Sequence, residues 1–423
     1  MSNPETVLPE AARIAAELAP TYRDLHKHPE LAFQEFRTAG LAARTLMDLG
    51  FEVTEGIGQT GVVGVLTNGE GPTVLLRADM DALPVEERTG LDYASTDRVT
   101  DASGADVPVM HACGHDVHVT ALLGAAELLV GCRDDWSGTL IALFQPAEEG
   151  GGGAQAMIDD ALFEKVPRPD VVLGQHVAPL GAGLIGLHPG PAFAATDAFE
   201  ITLHGRGGHG SRPELTVDPV VLAAATVMRL QTVVSREIAG TETAVLTVGT
   251  LHAGTKNNII ADHATLGVNV RSYDTVTRDR VVESMTRIVH AEAQASDAPR
   301  EPEIVATESF PVLVNDPDAS ARTRSAFTRV FGPEQVIDPG VVTGSEDVGL
   351  LATEAGVPLV YWLLGGAELE AFQAAYATGR LDALPSNHSP LFAPVIEPTL
   401  TVGVAALVTA ALEWLDERAL PGV

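Results

Sequence analysis

Apolar positions in this chain follow two periods, and the switches between them lay out its elements. Residues 62–66 and 73–76 are short apolar runs on either side of the turn Asn68-Gly69-Glu70-Gly71-Pro72, and read as two strands. Residues 138–144 are almost unbroken apolar, the mark of a strand buried on both faces, and residues 170–173 are another. An apolar helix is expected over 119–130, and an N-terminal amphipathic helix with Leu8, Ala11, Ala12, Ala15 and Leu18 on one face. Each strand stops at polar residues: Arg77-Ala78-Asp79-Met80-Asp81, then Gln145-Pro146-Ala147-Glu148-Glu149 with four glycines behind it, then Gly174-Gln175-His176. Strands alternating with helices and ending in polar groups predict an α/β fold, a central sheet flanked by helices with its site along one rim.

The rhythm changes near residue 191. A strand over 199–204, a long helix over 217–237, strands over 244–251 and 264–271, a helix over 278–294 and a strand over 303–307 give the order β-α-β-β-α-β. That order is a complete ferredoxin-like unit and reads as an insertion. Alternation then resumes with a helix over 320–331, a strand over 359–364, and a final helix over 400–415. The expected organisation is a catalytic domain in two parts, 1–190 and 309–423, interrupted by a second domain at 191–308.

Composition narrows the class. A length of 423 residues suits two domains, and 45% apolar with 20% charged residues is globular. No stretch of about 18 unbroken apolar residues suggests a membrane span, and no basic start with an apolar block suggests a leader. A cytoplasmic location is expected, and two cysteines, Cys113 and Cys132, are too few for a disulfide framework. The net charge of −31, with lysine only at 27, 165 and 256, argues against nucleic acid and anionic membranes as partners.

Chemistry concentrates in His111-Ala112-Cys113-Gly114-His115-Asp116-Val117-His118, where thiol, imidazoles and carboxylate crowd together. These are the ligand types of zinc and related ions. Cys113 and His115 would leave the same side of an extended backbone; His118 could ligate or merely pack on the helix. The remaining ligands must come from distant segments. Glu148 and Glu149 point opposite ways on an extended chain, so one could bind metal while the other faces water. His176 at a strand end and His388 in Ser386-Asn387-His388-Ser389-Pro390 are further candidates, each weak alone. Asp79 and Asp81 share a side and could ligate, orient a ligand, or pair with Arg77. In the insert, His209 sits oddly among glycines, Asn257 and Asn258 close a hairpin loop, and Arg271 ends a strand. Arg271 could fork onto a substrate carboxylate or form a salt bridge within its own domain.

Taken in order, these segments resemble the M20 metallopeptidase family, in its amidohydrolase branch of aminoacylases, hippurate hydrolases and auxin-conjugate hydrolases. The resemblance is carried by Leu25-His26-Lys27-His28-Pro29-Glu30-Leu31, by Arg77 to Pro84, by Met110 to His118, and by Gln145 to Gly150. It continues through Gly207-Gly208-His209, Gly344-Ser345-Glu346-Asp347 and Asn387-His388-Ser389-Pro390. It implies a mixed central sheet and an inserted lid and dimerisation domain, hence a homodimer. It implies metal ligands at Cys113, His115, Glu149, His176 and His388, and a general base at Glu148. His209 would reach the partner's active site to steady an oxyanion, and Asn258 and Arg271 would hold substrate. Asp81 is counted with Glu148 and His209 as catalytic. Five ligands exceed what one tetrahedral catalytic zinc takes, so either two ions share Cys113 as a bridge or one residue stands outside the ligand set. Zn2+ or Mn2+ is expected, with Ni2+ or Co2+ as alternatives. The implied reaction is hydrolysis of a small-molecule N-acyl amino acid; the rivals are a dipeptidase or carboxypeptidase, and a non-catalytic ligand-binding relative. Two positions depart from the family pattern. Asp79-Met80-Asp81 stands where many members outside the branch carry His-x-Asp, and Ala261 stands where proline is common in the lid.

Overall fold

The computed structural model describes residues 4–101, 103–150 and 152–415. The chain divides into two compact units. The larger comprises Met1–Gly190, Val314–Gly340 and Asp347–Val423; the smaller comprises Pro191–Leu313 with the returning segment Val341–Glu346.

An eight-stranded mixed sheet forms the larger unit, in the order Glu52–Ile57, Gly61–Asn68, Gly138–Gln145, Thr73–Asp79, Val171–Gly181, Leu359–Ala367, Ile185–Gly186, Val336–Ile337. The two strands expected around the turn at 68–72 are not neighbours. Gly138–Gln145 lies between them, antiparallel to Gly61–Asn68 and parallel to Thr73–Asp79. Its side chains are buried on both faces, which is why it occupies the middle. The helices Pro4–Lys27, His115–Gly131 and Ile396–Leu415 pack on one another against this sheet. Ile396–Leu415 is long and apolar enough to cross a membrane by length and composition, but Leu400, Val404, Leu407 and Leu415 are buried in the core of the unit.

The smaller unit is an antiparallel sheet in the order Ala244–Ala253, His263–Ser272, Ala195–His204, Glu303–Phe310. Its chain order is the β-α-β-β-α-β of the ferredoxin-like arrangement. On His263–Ser272, buried and part-exposed residues alternate. Ala264, Leu266, Val268 and Val270 therefore face the helices Pro219–Thr232 and Thr275–Ala295, whose Leu222, Leu230, Val281 and Ile288 join the same apolar cluster.

Candidate metal centre

The parallel strands of the larger unit end at one rim, and the polar residues that terminate them meet there. Thr73–Asp79 runs on to Asp81, and Gly138–Gln145 runs on to Glu148 and Glu149. Val171–Gly181 carries His176, and the helix His115–Gly131 packs on the first and third of these strands. The expectation of an extended Cys113-Gly114-His115 does not hold. Gly114 has φ +81, and His115 is the first residue of the helix. A Cβ on Gly114 would come 2.4 Å from Val177 Cγ1, so only glycine allows this turn against the strand. The turn, not a two-residue period, brings Cys113 and His115 together.

The ligand atoms of Cys113, His115 and His176 lie within 4.8 Å of one another, as do those of Cys113, Glu149 and His388 and those of His115, Glu148 and Glu149. Hydrogen bonds fix which ring nitrogen each histidine presents. Nδ1 of His176 is 2.8 Å from the Val177 carbonyl oxygen, to which it donates, leaving the lone pair of Nε2 facing Cys113 Sγ at 3.5 Å. Nδ1 of His115 donates to Asp81 at 3.3 Å, so its Nε2 is likewise aimed inward. That Nε2 and Oε1 of Glu149 are buried without a hydrogen-bond partner. His388 Nε2 stands 3.2 Å from Glu149 Oε1, close enough for an ion pair but not aligned as a hydrogen bond. Orphaned lone pairs aimed at a shared point are what a cation would satisfy. The set Asp79, His115 and His118 is equally close, but His118 is spent. Its Nε2 accepts from Val177 N at 2.8 Å, so its Nδ1 donates to Asp79 at 2.5 Å.

The carboxylates of the pocket draw positive charge to it, supplied by a proton on His115 that a bound cation would displace. Burial disfavours a charged His115, yet Asp79, Asp81 and Glu149 raise it to about 10. Burial pushes the Cys113 thiol well above its usual range, and Glu149 and Glu148 push it further. Burial lowers His176 to about 3, keeping it neutral as a ligand must be. Burial opposes ionisation of Glu149, but His388 and His115 outweigh it and hold the carboxyl below its usual value. The pocket is an excess of anions around orphaned donors, which suits a divalent cation.

The Peptidase family M20/M25/M40 description matches residues 75–384. The chain belongs to this family. Among relatives of this M20 chain, a Campylobacter jejuni hippurate hydrolase is 40% identical over 346 residues, 81% of this chain and 87% of the relative. A Saccharolobus solfataricus protein named thermostable carboxypeptidase 2 is 36% identical over 400 residues, 93% and 94% of the two chains. The crystal structure of a Bacillus subtilis protein, described as a dinuclear metal binding peptidase from the M20 family, superposes with a TM-score of 0.75 at 29% identity. It covers 96% of this chain and 99% of that one. The M20 chain is thus a metal-dependent amidohydrolase.

The other candidate residues of this M20 enzyme divide between the units. Asp81 lies at the rim with both oxygens occupied: Oδ1 accepts from Glu148 N at 3.0 Å and from His115, and Oδ2 accepts from Glu149 N at 3.0 Å. His209, Asn258 and Arg271 lie in the smaller unit. His209 is exposed on the short strand Gly208–His209, paired with Ile259–Ile260, and Gly210 N donates to the Asn258 carbonyl. The Nδ1 of His209 accepts from Ser211 N at 3.1 Å and lies 2.7 Å from the Ser211 hydroxyl, so the ring proton is on Nε2. Arg271 lies at the other end of His263–Ser272, where its Nη1 donates to the Thr343 carbonyl at 2.6 Å.

Three supports of the site do more than the sequence shows: Asn387 stands there only within a motif, Arg77 only as a possible partner of Asp79, and Glu35 not at all. Asn387 Nδ2 donates to the carbonyls of Val177 (3.0 Å) and Cys113 (3.2 Å), anchoring the loop in which His388 takes φ +69. Arg77, buried, bonds Asp79, Gln145, Tyr361 and Asp347 beneath the rim. Glu35, also buried, bonds the backbone of Ala147. The Arg77–Asp79 pair is local and is one of the readings open in the sequence; the other contacts named act across large separations and leave no local signal.

Proposed function

We propose that this enzyme hydrolyses the amide bond of N-acyl amino acids. The observation that carries the reading is the overlap of three close triples, Cys113 with His115 and His176, Cys113 with Glu149 and His388, and His115 with Glu148 and Glu149. Cys113, His115, Glu149, His176 and His388 would hold one or two divalent ions, Zn2+ or Mn2+ by ligand type. Cys113 would be among the ligands, since it belongs to two of the triples, and as a thiolate it would favour a zinc-like ion. Bound metal supplies Lewis acidity to the scissile carbonyl and acidity to water.

The side chains do the rest. Glu148 takes a proton from the attacking water and returns it to the leaving amine. Asp81 is a positioning group, because its oxygens hold His115 and the backbone of Glu148 and Glu149. In a homodimer, His209 of the partner subunit steadies the oxyanion, while Asn258 and Arg271 bind the rest of the substrate. Arg271 keeps guanidinium N–H groups beyond the one given to Thr343, enough for a fork onto a free carboxylate. Exposed apolar residues support the dimer: Val220, Val221 and Met228 on one helix, and Val245 and Leu251 on the edge strand of the small sheet.

The similarity to a protein named carboxypeptidase favours a second reading, removal of a C-terminal residue from short peptides. A panel separates them: amine release from N-acetyl, N-benzoyl and indole-acetyl amino acids beside free dipeptides, after metal analysis. Faster cleavage of the dipeptides would select the second. Glu148→Gln should lower kcat by about 10²–10⁴-fold with metal still bound; wild-type turnover by this variant would sink the base assignment.

A further inference from the structure

Glu148 and Glu149 follow a backbone turn that does not hold itself in place. Ala147 has φ +49, a left-handed conformation that a residue with a Cβ adopts only under constraint. Three consecutive N–H groups cross this turn, and buried carboxylates capture all three. Glu148 N and Glu149 N go to the two oxygens of Asp81; Ala147 N goes to Oε1 of Glu35 at 2.8 Å.

Glu35 comes from a stretch 112 residues away in sequence. It stands at the N-cap of the helix Phe36–Asp48, where its side chain makes no capping bond. Its carboxylate turns inward instead. Oε1 also accepts from Phe33 N at 2.9 Å, and Oε2 accepts from the Thr60 hydroxyl at 2.5 Å. Phe33 is itself left-handed, with φ +60. The segment before Glu35 is tied to the rim, since Ala82 N donates to the Glu30 carbonyl at 2.8 Å. One fully buried carboxylate thus joins the 30–35 segment, the 57–61 turn and the turn that presents Glu148.

We propose that Glu35 is a positioning residue for the hydrolytic reaction: its carboxylate pins the left-handed backbone at Ala147 and thereby aims Glu148. The inference rests on the reading of Glu148 as the base. Glu35 touches no ligand-bearing side chain in its hydrogen bonds, so its loss moves the base without removing a ligand.

The pin needs reach and an acceptor, not charge. Glutamine can turn its carbonyl oxygen to Phe33 N and Ala147 N and its amide to the Thr60 oxygen, keeping all three contacts. Aspartate keeps the charge and falls one methylene short. In the metal-loaded enzyme, Glu35→Ala and Glu35→Asp should lower kcat by about 10²-fold, the cost of a misplaced catalytic group. KM should stay within about twofold, since ground-state binding is untouched. Metal content should match wild type. Glu35→Gln should recover kcat to within about threefold, because the contacts survive. Amide exchange at residues 147–149 should accelerate in the alanine and aspartate variants and stay slow in Glu35→Gln and in Glu148→Gln. Should the alanine variant not fold, the aspartate and glutamine variants decide between them.

Equal damage from glutamine and aspartate, or wild-type kcat in the aspartate variant, overturns the pin. Loss of metal in step with loss of turnover overturns it as well. If Glu148→Gln is active, the base assignment falls, and the exchange rates at 147–149 still show whether Glu35 holds the turn.

Discussion

His26 is a buried cation between two anions, and its titration gives the fold a pH dependence of known sign. Its Nδ1 lies 2.7 Å from Asp116 Oδ2 and its Nε2 lies 3.1 Å from Glu87 Oε1. Carboxylates only accept, so both ring nitrogens carry protons. Burial works against the charge, but Asp116 and Glu87 outweigh it and raise His26 to about 10. The folded value stands above the unfolded value of about 6.5, so the stabilisation is complete below about 6.5 and drains away as pH rises towards about 10. The contact matters to the site because Asp116 follows His115 directly, tying the start of that helix to the N-terminal helix Pro4–Lys27. Urea midpoints of the metal-loaded protein should fall between pH 6.5 and 10 in wild type. His26→Leu leaves two buried carboxylates without their cation and should cost about 3–5 kcal/mol at pH 7. It should also flatten the fall; a variant that declines as steeply as wild type would exclude His26 as its source.

At the level of elements, the turn between the strand Gly138–Gln145 and the helix Gly153–Asp159 decides where both glutamates go. A Cβ on Gly153 would sit 1.6 Å from the Pro146 carbonyl oxygen, and backbone cannot yield as a side chain can. Gly152, beside it, has open space. Gly153→Ala should therefore lower turnover by about 10²-fold or more by shifting Glu148 and Glu149, while Gly152→Ala stays near wild type. Comparable activity in both would show that the turn is plastic. The four glycines were legible in the sequence as a turn after a buried strand, and so were the elements with a strong period. What was not legible depended on distant partners. Nothing at 62–76 reveals that Gly138–Gln145 inserts between two strands adjacent in sequence, because parallel pairing leaves no local mark. The two-residue spacing of Cys113 and His115 suggested a strand, and the left-handed Gly114 made a helix start instead. Glu35 carries no mark of its role in the sequence, and only its bond to Ala147, 112 residues away, shows it.

For the whole molecule, the decisive question is whether one chain suffices for a site. The candidate ligands and Glu148 belong to the larger unit, whereas His209 belongs to the smaller one. If His209 acts in the active site of the partner subunit, His209→Ala and Glu148→Gln damage different halves of the same composite site. Each variant alone should be nearly inactive as a homodimer. After the two are mixed, dissociated and reassembled, a mixed dimer pairs an intact Glu148 in one subunit with an intact His209 from the other, restoring one of its two sites. Random reassortment makes half of the dimers mixed, so recovery should reach roughly a quarter of the wild-type rate. Adding Met228→Glu and Val221→Glu to both chains places charge on the exposed apolar helix face. Those changes should shift the protein to monomers by light scattering and abolish the recovery. Mixtures that stay inactive although mixed dimers form would place His209 in its own subunit's site or outside catalysis.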